Sequence, residues 1–203
     1  MDKTAELQKL AAEMRAAKLP LDTNLVFGEG NAGAQVMFVG EAPGRDEDIQ
    51  VRPFVGRGGQ LLRQCLREAG LKEEEVYITN IVKRRPPENR DPLPEEIEAY
   101  KPYLSRQIEI IAPQVIVPLG RFAMNYFLPA AKITRDQGKI FHMNRRCIVP
   151  MLHPAAALRA PEMMRTFRET FSKLPKIMEK CEALLAEPPA AAKQSVSREQ
   201  KLF

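Results

Sequence analysis

Short apolar runs that alternate with amphipathic segments predict an α/β protein, a three-layer α/β/α sandwich around a central, mainly parallel four-stranded sheet. Length agrees: 203 residues suit one domain with a proper core. Composition agrees too, since 44% hydrophobic and 28% charged residues are globular proportions. No internal repeat is visible.

Residues 5–18 set Leu7, Leu10, Ala11 and Met14 at helical spacing, and Pro20 stops that helix. Residues 34–39 (AQVMFV) form a short apolar run that feeds the loop Gly40-Glu41-Ala42-Pro43-Gly44, the pattern of a buried strand. Residues 60–69 are amphipathic, with Gly70 as their stop. Residues 76–82 (VYITNIV) read as a second buried strand. Residues 94–111 make a long helix whose first turn carries Glu95 and Glu96, suited to the positive helix end. A third strand at 115–119 runs into Gly120, which opens another helix. A fourth at 147–151 runs into His153-Pro154, and a closing helix is expected over 161–185. From Glu187 the chain turns Pro/Ala-rich and then polar. Residues 1–186 are therefore expected to form one domain and 187–203 a flexible tail.

The formal net charge of +5 favours polyanionic partners such as nucleic acid. No apolar run approaches the roughly 20 residues of a membrane helix. The first residues alternate charges with Leu, Ala and Met and lack a signal-peptide core, which predicts a cytoplasmic protein. Cys65, Cys147 and Cys181 are scattered without C-x-x-C spacing, arguing against a disulfide framework or a dedicated metal site.

Ligands of such folds bind beyond the carboxyl ends of the strands. Three chemically unusual segments are expected there. The first brings Glu41 and Glu47 together with Phe54 and a run of glycines; on its own it could be a solvated acidic loop with a core Phe. The second places Asn80 inside an apolar strand, where a buried amide is either structural glue or a ligand reader. Lys83, Arg84, Arg85 and Arg90 follow, as a solubilising loop or as phosphate contacts. The third fixes His153 between a strand and Pro154. His142, the other histidine, is given no role.

Taken in order, GEAPG, PFVGRGGQLL, ITNIVKRRPPENR, VIVPLG and HPAAALR resemble the family 4 uracil-DNA glycosylases of bacteria and archaea, over roughly residues 24–170. The resemblance implies a monomeric, monofunctional, metal-independent glycosylase that flips uracil out of DNA and hydrolyses its N-glycosidic bond, leaving an abasic site. Carried over, Phe54 stacks on the uracil, Asn80 reads its polar edge, Glu47 crowds the C5 position, and backbone at Gly40 and Ala42 lines the pocket. Glu41 positions water and steadies the cationic sugar, while His153 holds the carbonyl oxygen that gains charge. Arg57, Lys83, Arg84 and Arg85 face the DNA with Ala157, Leu158 and Arg159; Leu158 or Arg159 fills the gap left by the flipped base.

The sequence departs from that family at its cluster ligands and at two smaller positions. The family normally holds a [4Fe–4S] cluster on four cysteines. Here Arg84 and Tyr100 stand at the third and fourth ligand positions, no cysteine precedes Cys65, and residues 15–21 stand where the first pair would be. No cluster and no other cofactor is expected. Val51 stands where the family usually has Gly, and Gly58 replaces a common Ala. The terminal Gln200, Leu202 and Phe203 resemble a sliding-clamp docking peptide, one residue short of the usual spacing. Alternatives are a weak or non-catalytic DNA-binding relative, a glycosylase for hypoxanthine or xanthine, and a metal-dependent phosphoesterase using the acidic loop, though only His142 and His153 are there to support its metal.

Overall fold

The computed structural model of the chain describes residues 2–143 and 145–186. The tail with Gln200, Leu202 and Phe203 lies outside the described residues.

Four parallel strands form the middle of the sheet: β2 (Val36–Gly40), β3 (Val76–Asn80), β4 (Val115–Pro118) and β6 (Arg146–Ile148). The expected sheet of four is in fact six-stranded. β1 (Glu29–Gly30) and β5 (Phe141–Met143) add antiparallel edges, giving the order β1-β3-β2-β4-β6-β5. Both edge strands are too short to show a period-2 pattern, so the sequence does not announce them.

Alternation along the strands builds the layers. Val36, Phe38, Val76, Ile78, Val115 and Val117 face one core. Helices α3 (Arg57–Glu68), α8 (Pro161–Ser172) and α9 (Leu174–Ala186) cover it, through residues such as Leu62, Phe167, Phe171 and Leu174. Met37, Val39, Tyr77 and Ile116 face the other. There α1 (Lys3–Ala16), α4 (Pro94–Ile111) and α5 (Gly120–Phe127) supply Leu7, Leu104, Ile108 and Met124. Asp2 caps α1, its carboxylate accepting from the N–H of Thr4 at 3.0 Å.

The closing helix expected over 161–185 is two helices. Lys173 ends α8 and Pro175 opens the next, because proline lacks the N–H that a continuous helix would need. The acidic loop also hides a short helix, α2 (Arg45–Gln50). Two further short helices, α6 (Ile133–Asp136) and α7 (Pro154–Ala157), complete the described chain. No helix among the described residues is long and apolar enough to cross a membrane.

Candidate active site

In the β2–β3 register, Gly40 pairs with Asn80, so both strands end side by side at the carboxyl edge of the sheet. The loop beyond β2, the turn after β3 and the start of α7 converge there around a cleft of about 610 Å³. Glu41, Ala42, Glu47, Phe54, Asn80 and His153 line it; Gly40, also expected there, is not among the lining residues.

The fit at its floor is close. A Cβ added to Gly40 would lie 2.3 Å from Asn80 Oδ1 and 2.5 Å from the Phe54 ring, so only glycine lets these side chains approach. The Phe54 and His153 ring centroids are 5.9 Å apart, at 34°. Phe54 has a left-handed backbone, φ 53°, an unfavourable conformation for an aromatic residue. Arg63 compensates by donating to the carbonyls of Pro53 and Phe54 at 3.0 and 3.1 Å. Asn80 is buried, and no described residue hydrogen-bonds its side-chain amide, which leaves that group's donors and acceptor to whatever enters the cleft.

Glu47 has a task that sequence reasoning missed. Its Oε1 accepts from the N–H groups of Val55 and Gly56 at 2.9 and 2.8 Å, and its Oε2 from Gly44 at 3.1 Å. The carboxylate thus ties both ends of the loop to α2.

Two titratable groups are strongly perturbed. Burial, with Asp91 adding repulsion against a weaker pull from Arg121, pushes the Glu41 carboxyl up to about 7. Burial likewise pushes His153 down to about 4, so its ring is neutral at ordinary pH. His153 Nδ1 accepts the N–H of Ala155 at 3.2 Å, and a neutral ring that accepts at Nδ1 carries its proton on Nε2. The ring is therefore a fixed, uncharged donor. Gly120 makes room for it, since a Cβ there would lie 2.9 Å from His153 Cβ.

Sequence reasoning also missed Asn89 and Asp91 on the cleft wall. Asn89 is left-handed, φ 55°, which Asn tolerates better than most residues; the Pro-Pro-Glu-Asn turn was the available signal. Arg90 lines the same wall but is held by a bidentate pair with Glu96.

Of the expected DNA-facing set, Arg57 and Arg159 line the cleft. Leu158, 37% exposed, lines a neighbouring groove with Arg57, Gln64 and Arg168. Four expectations need correction. Lys83 is fully buried, because its Nζ turns inward to three acceptors between β3 and α4. Ala157 belongs to the core and cannot present its side chain to DNA. Arg84 points away from the cleft, donating to the carbonyl of Thr23 beside the Tyr100 hydroxyl. Arg85 pairs with Asn89 Oδ1 at 2.6 Å and does not line the cleft.

At the positions where the resembled family carries cluster ligands, a third small core has formed. Met14, Leu25, Val82 and Tyr100 pack together, and the Tyr100 hydroxyl donates to the Pro20 carbonyl at 2.6 Å. A guanidinium and a phenol fill this space, and the three cysteines belong to the core on the opposite side of the sheet. These residues do not fit an iron–sulfur cluster, whose irons are held by cysteine thiolates or, in some centres, by histidines, and neither stands among the described residues there. Among the described residues no group of three or more His, Cys, Asp or Glu could hold a metal ion.

Residues 27–175 match the family model of the Uracil DNA glycosylase superfamily. The type-4 uracil-DNA glycosylase of Archaeoglobus fulgidus is 47% identical over 161 residues, 75% of this chain and 81% of that protein. That of Sulfurisphaera tokodaii is 44% identical over 185 residues, covering 86% and 84%. That of Thermotoga maritima is 45% identical over 163 residues, covering 78% and 85%.

Proposed function

The chain belongs to the uracil-DNA glycosylase superfamily and is a uracil-DNA glycosylase of DNA repair, and we propose that the cleft at the carboxyl edge of its sheet is where uracil is held and cut out. One observation carries this assignment: the unpartnered Asn80 amide and the neutral His153 donor converge on one cleft.

The flipped uracil lies against Phe54, and Asn80 matches its polar edge with one donor and one acceptor. As the C1′–N1 bond breaks, the bonding electrons pass to the uracil ring, and the Nε2–H of His153 donates to the carbonyl oxygen that gains charge. A neutral donor suits this step, because it stabilises the anion without being drawn off by it. Glu41, once ionised, faces the cationic sugar and orients the water whose oxygen bonds to C1′; the proton that water loses is taken up by Glu41. Glu47 keeps the loop in shape around the C5 side of the base.

Arg57 and Arg159 take phosphates, and Leu158, exposed at the rim, enters the gap in the duplex. The protein works as a cytoplasmic monomer with no iron–sulfur cluster; the filled space around Tyr100 and Arg84 supports the latter reading. The tail through Gln200, Leu202 and Phe203 docks on a sliding clamp, and deleting the last four residues abolishes that binding.

The test is cleavage, in chelator, of labelled oligonucleotides carrying one uracil, hypoxanthine or xanthine, with alkali to reveal abasic sites. Cleavage at uracil is expected, with Asn80→Ala and His153→Ala each slower by about a hundredfold. Wild-type rates in both variants would refute the site, and faster cleavage at hypoxanthine or xanthine would reassign the substrate.

A further inference from the structure

Asp136 and Glu96, two other buried charges, each face an arginine. Lys83 is fully enclosed and faces no carboxylate among the described residues. Its Nζ donates to Thr79 Oγ1 at 2.5 Å, to the Asn80 carbonyl at 2.7 Å and to Gln107 Oε1 at 2.5 Å. Every partner is an acceptor. Thr79 spends its own proton on the Phe27 carbonyl at 2.8 Å, and Gln107 Nε2 donates to the same carbonyl at 3.0 Å. Burial lowers the proton affinity of Lys83, but three acceptors around one nitrogen match the three N–H bonds of an ammonium.

Burying a charge without a counter-ion is a costly way to stabilise a fold, and a methionine would fill the same space more cheaply. The geometry points to another use. The peptide between Asn80 and Ile81 accepts from Lys83 through its carbonyl and donates through its N–H to the Gly40 carbonyl at 2.9 Å. The next N–H, of Val82, donates to the Glu41 carbonyl at 3.0 Å. A grip on that one peptide therefore sets Asn80, Gly40 and Glu41 relative to each other, at a point where Gly40 has no room for even a methyl group.

We propose that Lys83 is a positioning residue of base excision: from behind the cleft it fixes the end of β3, so that the Asn80 amide and the Gly40–Glu41 backbone meet the uracil in register. This rests on the reading that Asn80 holds the base.

The test compares Lys83→Met, Thr79→Val and Asn80→Ala with the wild type. Four quantities are measured: thermal midpoint, single-turnover excision, inhibition by free uracil, and affinity for uracil-free duplex. Lys83→Met is expected to slow excision by about tenfold or more and to weaken uracil inhibition in step, as misplacement by a fraction of an ångström does. Duplex affinity, set at the rim, stays at the wild-type level. Thr79→Val removes one acceptor with little change of volume, gives an intermediate loss, and decides the matter if Lys83→Met does not fold. A lowered thermal midpoint with wild-type excision and uracil inhibition in Thr79→Val and in folded Lys83→Met would overturn the proposal. If Asn80→Ala is inactive while these variants are not, only the role of Lys83 falls. If Asn80→Ala excises normally, the reading of the cleft falls as well.

Discussion

Val51 at φ 54° and Phe54 at φ 53° both hold left-handed backbone within a few residues of each other. Phe54 is buried against the cleft and anchored by Arg63, so its strain is offset by what it positions. Val51 is 49% exposed and ends α2, where glycine is the ordinary choice. Val51→Gly is expected to raise stability by about 0.5–1 kcal/mol, the left-handed penalty less the entropy that glycine adds to the unfolded chain; urea titration measures it. Glu41 makes a prediction about pH. On the proposed mechanism the carboxylate is the active form, so excision should rise through about pH 7, while Glu41→Gln should be slow and flat across that range. His153 imposes no opposing limb there, being neutral down to about 4. The stability sign is opposite to that of activity. A carboxyl raised by the fold stabilises it fully below the usual carboxylate range and loses that contribution as pH rises through about 7. Most of these residues were legible in the sequence because motif order fixed them. Lys83 was not: it reads as the first of three basic residues in a loop, and what buries it is Gln107, on a helix 24 positions away.

Among the elements, α3 has the narrowest tolerance. A Cβ on Gly59 would come within 2.0 Å of the Phe54 carbonyl carbon, so the helix lies directly on the backbone it supports. Gly59→Ala should push Phe54 out of place and cut single-turnover excision by about tenfold or more while leaving far-ultraviolet circular dichroism unchanged. Gly58, whose Cβ would meet Ala155 N at 3.2 Å, should accept alanine with little loss. The four central strands could be read from sequence because each overlaps a largely apolar run of five to seven residues with a loop signal after it. α2 could not, since its six residues bury no side chain and leave no apolar face to detect. The division between α8 and α9 was written in Pro175, but the apolar spacing continues through it and obscured the break.

For the molecule as a whole, Tyr100 joins Met14, Leu25 and Val82 in a small core of ordinary side chains. Tyr100→Phe, which leaves the Pro20 carbonyl unpaired, should cost about 1–2 kcal/mol in a denaturant titration. The unfolded protein should regain full excision activity when diluted from urea into chelator; recovery that needs iron and sulfide would refute the cluster-free reading. DNA affinity should be steeply salt-dependent, with Arg57→Ala and Arg159→Ala each lowering the slope by about one. The two strands that sequence reasoning missed have an effect of their own. The interior strands could template an endless ribbon if a parallel edge were bare, but each edge is closed by an antiparallel strand of two or three residues. So short a strand offers a second chain almost no unsatisfied amides to pair with. Concentrated or partly melted samples should therefore resist fibrillar aggregation, a colloidal property set by five residues at the margins of the sheet.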